Sequence, residues 1–304
     1  MDPHSTASDE SRRPPTATSL ASSSAQTTEA VIIRMEEEEV PMVRFSNLNQ
    51  LFQDVDATLG DALFVEDVSV EDFHDIDEER TRRLRKFRLR RFVADRNLLI
   101  IAIQRSPHVQ LHIPLFQKIY NNICAMGLEE SWMGSGAATC RPRNRPDADA
   151  GEADSTGAPW PQRRGPGYWP TLVILSGVSF SQSHLRGEMR WWFGASNHQV
   201  KIVILVKARI NQGEVILEKY REHPAHGRPG AINTRASEVL EPQLDQSIVI
   251  SQTAGNPATH HATGALVLEF DQLFLRAPGP EEHDVVLDIQ YLQHYADMLW
   301  RCGV

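Results

Sequence analysis

The chain has 304 residues, of which 41% are hydrophobic and 23% are charged. This composition is ordinary for a soluble protein and allows a sizeable hydrophobic core. The net charge of -9 argues against bulk attraction to nucleic acids or anionic membranes, although a local basic patch could still act. No apolar run approaches the ~20 residues that span a bilayer, so we expect no membrane association.

The cysteines and the N-terminus indicate where the protein resides. Cys124, Cys140 and Cys302 lie far apart and form no CxxC pair, which is typical of reduced thiols. The first residues, MDPHSTASDESRRPP, contain no apolar signal-peptide core. We therefore expect a cytoplasmic or nuclear protein.

Composition divides the chain into a tail and a domain. Residues 1–40 are predicted to form a disordered tail, because they are rich in Ser and Thr and end in four consecutive glutamates. Residues 41–304 are predicted to form a single α/β domain. Within it, the low-complexity stretch 141–168 is predicted to be a long surface loop, because periodic segments resume on both sides.

Apolar periodicity predicts the elements of this domain in chain order. A short helix is expected near 45–59, a hairpin at 92–103 and a helix at 108–126. Further elements are predicted as strands at 172–175, 200–206, 214–219, 247–250 and 265–270, and as helices near 185–193 and 289–299. The expected fold class is α/β (α+β), with a mixed central sheet flanked by helices.

Two charged blocks adjoin each other before the hairpin. Residues 66–79 carry eight acids, and residues 80–91 carry eight bases. The basic block, Arg80–Arg91, could bind the phosphates of a nucleic acid or act as a nuclear-localisation signal. Alternatively, it is a solvated helix or strand whose charge the neighbouring acids offset, which we favour because opposite blocks can pair within one chain.

His108 and His112 are four residues apart, so a helix would place both on one face. This spacing can bind a metal ion. No glutamate follows His108, so the metalloprotease pattern HExxH is absent. The sequence therefore favours a structural or exposed histidine pair.

Several segments between residues 89 and 300 resemble those of a known family: PHVQLHIPL, MGLEESW, EADS at 152–155, WPTLVI, WWF, QVKIVIL, LEKY and GALVLEF. Together they resemble a fungal family of uncharacterised proteins whose core is similar to the PD-(D/E)XK nuclease superfamily. The resemblance implies a nuclease-like core with two carboxylates on neighbouring strands that hold Mg²⁺. It also implies a lysine near the attacking water. The metal ion lowers the pKa of this water.

The same resemblance assigns site residues to this chain, and it also shows where this chain differs from the pattern of the family. Asp154, with Glu152 beside it, would be the metal ligand, and Lys201 or Lys207 would be the lysine. The places of the other carboxylates hold Leu175 and Phe180. A hydroxyl such as that of Ser176 is a weak Mg²⁺ ligand beside a carboxylate. We therefore expect Asp154, Glu152 and Lys201 to be vestiges of a degraded site.

The resulting hypothesis is a non-catalytic, nuclease-like scaffold or interaction protein with an unknown protein partner and no cofactor. One alternative is a Mg²⁺-dependent nuclease whose site has rearranged. Another is an accessory protein of a fungal biosynthetic pathway. An unrelated α/β fold also stays open at this point.

Overall fold

The computed structural model describes residues 40–135, 139–142, 149–165, 167–225, 239–255 and 259–302. Of the predicted tail, only Val40 belongs to these residues, and its side chain is buried. The described residues form an α+β fold with two mixed sheets flanked by helices, which confirms the expected fold class.

The first sheet has five strands in the order β1-β2-β4-β3-β6. These strands are β1 Met42–Arg44, β2 Ala62–Glu66, β3 Phe87–Val93, β4 Leu98–Ile103 and β6 Ala150–Gly151. Helices α1 (Leu48–Ala57) and α2 (Val70–Arg82) bury their apolar residues in one cluster with this sheet. Ser69 and Asp72 form a capping box that begins α2, and such caps satisfy backbone N–H groups that the first turn leaves open.

The second sheet has seven strands in the order β12-β11-β10-β9-β8-β7-β5. These strands are β5 Trp132–Ser135, β7 Ser155–Pro159, β8 Leu172–Gly177, β9 Ile202–Arg209, β10 Glu214–Pro224, β11 Leu240–Thr253 and β12 Thr259–Ala262. Strands β8 and β9 are parallel, and helix α4 (Gln182–Ala195) connects them. All other neighbours in this sheet are antiparallel.

Helices cover the second sheet on both faces. Helix α3 (Ser106–Ala125) packs its buried leucines and isoleucines against Leu172 and Ile174 of β8. Helices α5 (Phe270–Phe274) and α6 (Ile289–Arg301) and the small pair β13 (Leu266–Leu268) and β14 (Val285–Leu287) join the same cluster. Helix α4 packs with Val173 and Leu175, because alternate strand residues point to opposite faces.

The hairpin and the long helices agree with the sequence. Strands β3 and β4 pair antiparallel around a short turn at Ala94–Arg96. Helix α3 begins two residues before the predicted start, because Pro107 fits a first helical turn, where no intrahelical N–H bond is lost. Asp288 caps α6, accepting a hydrogen bond from the backbone N–H of Tyr291.

The prediction of a surface loop at 141–168 is wrong for residues 150–159. Residues 150–159, which we call the crossing segment, are buried throughout and contain β6 and β7. Strand β6 pairs with β3 in the first sheet, and β7 pairs with β5 and β8 in the second. The segment therefore carries the chain from one sheet to the other. Its small residues lack an apolar period, which is why the sequence did not reveal it.

None of the helices in the described ranges combines the length and the apolar character that a membrane crossing requires.

Candidate functional site: a buried ion-pair network

Asp154 lies in the crossing segment immediately before β7, and its side chain is fully buried. Its Oδ2 accepts hydrogen bonds from Arg90 Nη1 at 2.7 Å, from Ser176 N at 2.6 Å and from Ser176 Oγ at 3.0 Å. Its Oδ1 lies 2.8 Å from Nε2 of His108. Both carboxylate oxygens are therefore engaged by protein groups.

Arg90 reaches Asp154 because of an irregularity in β3. The pairing of β3 with β4 shifts between Leu89 and Arg91, so that Arg90 is an extra residue in a β-bulge. A bulge redirects the side chain of its extra residue. The guanidinium is fully buried, donates to the carbonyl oxygen of Ser176 as well as to Asp154, and lies over the ring of Phe180 at 5.2 Å.

His108 connects Asp154 to a second buried carboxylate. It lies in the first turn of α3, with Nδ1 at 2.7 Å from Asp61 Oδ2. Asp61 also accepts the backbone N–H groups of Val178 at 2.8 Å and Ser179 at 2.7 Å. We call Asp61, Arg90, His108 and Asp154 the Asp154 network.

The Asp154 network is electrically balanced when His108 carries a proton. Burial alone would lower the pKa of His108, but the charge of Asp154 and the hydrogen bonds to both carboxylates outweigh it and raise the pKa to about 9. Burial alone would raise the pKa of Asp154, but the charges of Arg90 and His108 hold it well below its ordinary value. Asp61 likewise has a lowered pKa, because its bonds to His108 outweigh burial. Two cations therefore face two anions.

His112 lies one turn further along α3, on the same face as His108. Its Nδ1 is 2.9 Å from the hydroxyl of Ser155, and its buried Nε2 has no hydrogen-bond partner within the described segments of the chain. Burial lowers the pKa of His112 to about 4, so the ring is neutral at pH 7. One nitrogen of each histidine and a carboxylate oxygen of Asp154 lie within 4.8 Å of one another, a grouping that could hold a metal ion.

Glu152 is buried but belongs to a separate ion pair. Its two carboxylate oxygens accept Nη1 and Nη2 of Arg80, each at 2.8 Å. It also accepts the backbone N–H of Leu89 at 3.0 Å and the hydroxyl of Thr139 at 2.8 Å. The two predicted metal ligands, Glu152 and Asp154, thus have different arginines as partners.

These two arginines come from the basic block 80–91. Most cations of this block form ion pairs with acids of the same chain. Six of its eight cations form ion pairs with acids of this chain: Arg80, Arg82, Arg83, Arg85, Arg90 and Arg91. Adjacent acids do provide some of this pairing, since Asp77 and Glu79 are among the partners. The acids at 152 and 154, which the sequence singled out for function, therefore have their ion-pair partners within the basic block.

The predicted lysine does not join Asp154. Lys201 lies at the start of β9, where its backbone N–H donates to Thr171 at the opposite end of β8 from Ser176. Five strand residues span about 16 Å, and Lys201 Nζ is bonded to the carbonyl of His198 at 2.8 Å. A shared site of Lys201 and Asp154 is therefore excluded. Lys207 pairs in register with Gly177 at the nearer end, and its Nζ donates to the carbonyl of Val178 at 2.6 Å.

The two positions at which the resemblance implied carboxylates, Leu175 and Phe180, are apolar. Leu175 and Phe180 are fully buried in the cluster around α4. Ser176 points to the opposite face of β8 and presents its hydroxyl to Asp154. Neither Leu175 nor Phe180 supplies a charged oxygen.

The described residues also line a cavity of about 450 Å³, but it lies elsewhere. Its lining includes Thr139, Arg141, Arg163, Tyr168 and Trp169. No member of the Asp154 network lines it. The buried carboxylate is therefore not at the base of this cavity.

Sequence reasoning missed the roles of Arg90 and Asp61. Arg90 was one of eight bases, and no local pattern shows that a bulge turns it inward. Asp61 stands alone between two short apolar segments. Their side-chain partners Asp154 and His108 are 64 and 47 residues away in sequence, so only the fold brings them together.

Comparison with solved structures gives only distant likenesses. No protein-family model matches the chain, and no curated protein matches it. A solved protein from Anabaena variabilis ATCC 29413, described as a "putative nuclease belonging to DUF820", is similar with 13% identity and a TM-score of 0.33. The likeness covers 65% of this chain and 87% of that one. It is too distant to assign a family.

Proposed function

We propose that this protein is a non-catalytic scaffold or interaction protein on a nuclease-like core, with a buried ion-pair network at the place of a metal site. The observation that carries the proposal is the state of Asp154. Its side chain is fully buried, and Arg90, His108 and Ser176 engage both of its oxygens. A substrate phosphate would have no access to this carboxylate.

The residues around Asp154 do not fit Mg²⁺. This ion requires an octahedral set of oxygen ligands and retains several waters. Here the nearby donors are one carboxylate and two imidazoles. Glu152, the second candidate ligand, is held by a bidentate bond to Arg80. The alternative of a rearranged Mg²⁺-dependent nuclease would need Arg90 and Arg80 to leave the buried carboxylates that they pair with.

The cost of such a rearrangement supports the non-catalytic proposal. Removing one partner of a buried ion pair costs about 3–5 kcal/mol, because the other charge is left uncompensated. A domain has about 5–15 kcal/mol of stability in total. Opening the Asp154 network for a metal and a substrate would therefore consume a large fraction of the stability of the fold.

A cleavage assay tests this proposal. Wild type and Asp154→Asn are incubated with single- and double-stranded DNA and with RNA, in Mg²⁺ and separately in Mn²⁺. We expect no cleavage by wild type above that of Asp154→Asn. Both preparations are checked for folding by circular dichroism, and a variant of the exposed His74, His74→Gln, controls for purification.

Metal-dependent cleavage by wild type and His74→Gln that is absent from a folded Asp154→Asn would refute the proposal. If Asp154→Asn does not fold, Arg90→Met takes its place. The proposal requires that removing Arg90 creates no cleavage, while an active site that Arg90 merely blocks would gain it.

A further inference from the structure

The two histidines of α3 and Asp154 have the arrangement of a transition-metal site. His108 and His112 are four residues apart on one buried helical face. This spacing places two imidazoles where one metal ion can bind both. Asp154 supplies the third donor, within 4.8 Å of the two nitrogens.

Each histidine is also held in the way that metal-binding histidines are held. Ligating imidazoles nearly always use their second nitrogen in a bond to a carboxylate or another protein group, which fixes the orientation of the ring. Nδ1 of His108 is bonded to Asp61 at 2.7 Å, and Nδ1 of His112 is bonded to Ser155 at 2.9 Å. This leaves Nε2 of His112 without a partner, while Nε2 of His108 faces Asp154 Oδ1 at 2.8 Å.

The unpartnered Nε2 of His112 is the observation that the ion-pair network does not explain. The side chain is buried, with 3% of its residue surface exposed, and this nitrogen has no hydrogen-bond partner within the described ranges. A buried polar atom without a partner costs about 1–3 kcal/mol. A metal ion bound by Nε2 would remove this cost.

We propose that His108, His112 and Asp154 form a structural Zn²⁺ site. The donors are two imidazoles and a carboxylate, which suit Zn²⁺ better than Mg²⁺. Ligands at 2.0–2.1 Å on a tetrahedral ion lie about 3.3 Å from each other. His108 Nε2 and Asp154 Oδ1 are 2.8 Å apart, so they need to separate by only about half an ångström.

The ion takes the place of the proton between His108 and Asp154. That proton leaves to solvent, the Zn–Nε2 bond forms in its place, and Arg90 stays on the other oxygen, Oδ2. Ser176 Oγ, 3.4 Å from His108 Nε2, is available as a fourth donor. The site is closed and structural, so it is compatible with the non-catalytic proposal but does not depend on it.

Metal analysis of the full chain tests the site. Wild type, His112→Gln and the control His74→Gln are incubated with ZnCl₂, dialysed against metal-free buffer and measured for zinc by mass spectrometry and for affinity by chelator competition. We expect one zinc per chain in wild type and His74→Gln. In His112→Gln the affinity should fall by at least about 100-fold, since even an outer-shell change costs 10–100-fold.

Cobalt spectroscopy gives a second readout that needs no variant. Co²⁺ bound by two imidazoles and oxygen donors should give the strong visible bands of a four-coordinate ion, without the charge-transfer band of a cysteine thiolate. This outcome supports the site even if His112→Gln does not fold.

The site is overturned if dialysed wild type retains no zinc, or if His112→Gln retains as much as His74→Gln. A Co²⁺ spectrum with a thiolate band, or one with only the weak bands of the hydrated ion, would also overturn it. Cleavage activity plays no role in these readouts, so a failure here is separate from a failure of the non-catalytic proposal.

Discussion

At the scale of single residues, Asp154 shows how the same carboxylate can suggest catalysis in sequence and stability in structure. An acid in a segment that resembles a nuclease motif predicts a metal ligand. In the fold, the guanidinium of Arg90 pairs with this carboxylate inside the protein. The desolvated carboxylate is stable only because this cation and His108 compensate it.

His108 makes the stability of the protein depend on pH at the alkaline side. Its folded-state pKa, about 9, is above the ordinary 6.5. The contribution of His108 to the free energy of unfolding is therefore fully present below pH 6.5, and it is lost as the pH rises through 9. We expect the free energy of unfolding, measured by urea denaturation in EDTA, to fall between pH 6.5 and 9 in wild type. In His108→Gln this fall should be much smaller.

His112 has the opposite effect at the acid side. Its folded-state pKa of about 4 is below the ordinary value, so its contribution is present above pH 6.5 and is lost as the pH falls towards 4. Stability should therefore be highest near pH 6.5. Equal stability at pH 6.5 and pH 9 in wild type would contradict the charged state of His108 that we describe.

At the scale of elements, the crossing segment and the bulge in β3 position the site. The crossing segment brings Asp154 beside β8, and the bulge turns Arg90 towards it. Glycines let this segment pass close to aromatic rings. A Cβ on Gly157 would lie 2.1 Å from the ring of Trp132, and one on Gly151 would lie 2.7 Å from the ring of Trp191.

Gly157→Ala should therefore destabilise the pairing of β5 with β7. Overpacking of a buried position typically costs about 1–3 kcal/mol, and we expect a loss of this size in urea denaturation. The matched control is Gly187→Ala in α4, where a Cβ would meet nothing within 4 Å. A helical alanine is favoured over glycine by roughly 0.5–1 kcal/mol, so this variant should be slightly more stable. Equal effects of the two changes would contradict the packing at β7.

The sequence predicts those elements whose pattern is local. The repeat of Leu111, Leu115 and Ile119 suffices for α3, and the uninterrupted apolar run suffices for β9. The crossing segment has no such pattern, since Ala, Gly, Ser and Thr are small enough to be buried without alternation. The bulge at Arg90 is likewise invisible, because one extra residue in β3 leaves no compositional trace.

The candidate site could be predicted only partially for the same reason. Asp154, Glu152 and the pair His108 and His112 attract attention through residue type and spacing. Whether they contact a metal, a substrate or an arginine depends on tertiary contacts across 43 or more residues. Lys201 illustrates the limit, because it was chosen by residue type and lies at the far end of β8 from Ser176.

At the scale of the whole molecule, the Asp154 network joins regions of the protein that the chain connects only indirectly. Arg90 comes from the first sheet, Ser176 from the second sheet, and His108 from the helix that covers the second sheet. Asp154 lies on the segment that runs between the sheets. The network therefore holds the two sheets in one arrangement, and its loss should affect the cooperative unfolding of the whole.

The same pairing bears on nucleic-acid binding. Six cations of the block Arg80–Arg91 are paired with acids of this chain, and the net charge is -9. Binding by phosphate contacts would weaken steeply with salt, because each neutralised phosphate releases a counterion. We expect no such binding in fluorescence anisotropy with DNA or RNA at low salt. Salt-dependent binding that is lost in Arg82→Ala and Arg83→Ala would contradict this expectation and restore the block as a binding surface.

A double-mutant cycle of Arg90 and Asp154 tests the central claim most directly. The free energy of unfolding is measured in EDTA for wild type, Arg90→Met, Asp154→Asn and the double variant. If the two charges stabilise each other, each single change costs about 3–5 kcal/mol, and the double variant loses less than the sum by more than about 1.5 kcal/mol. Losses that add within about 0.5 kcal/mol would show that the two residues act independently and would contradict the ion-pair account of Asp154.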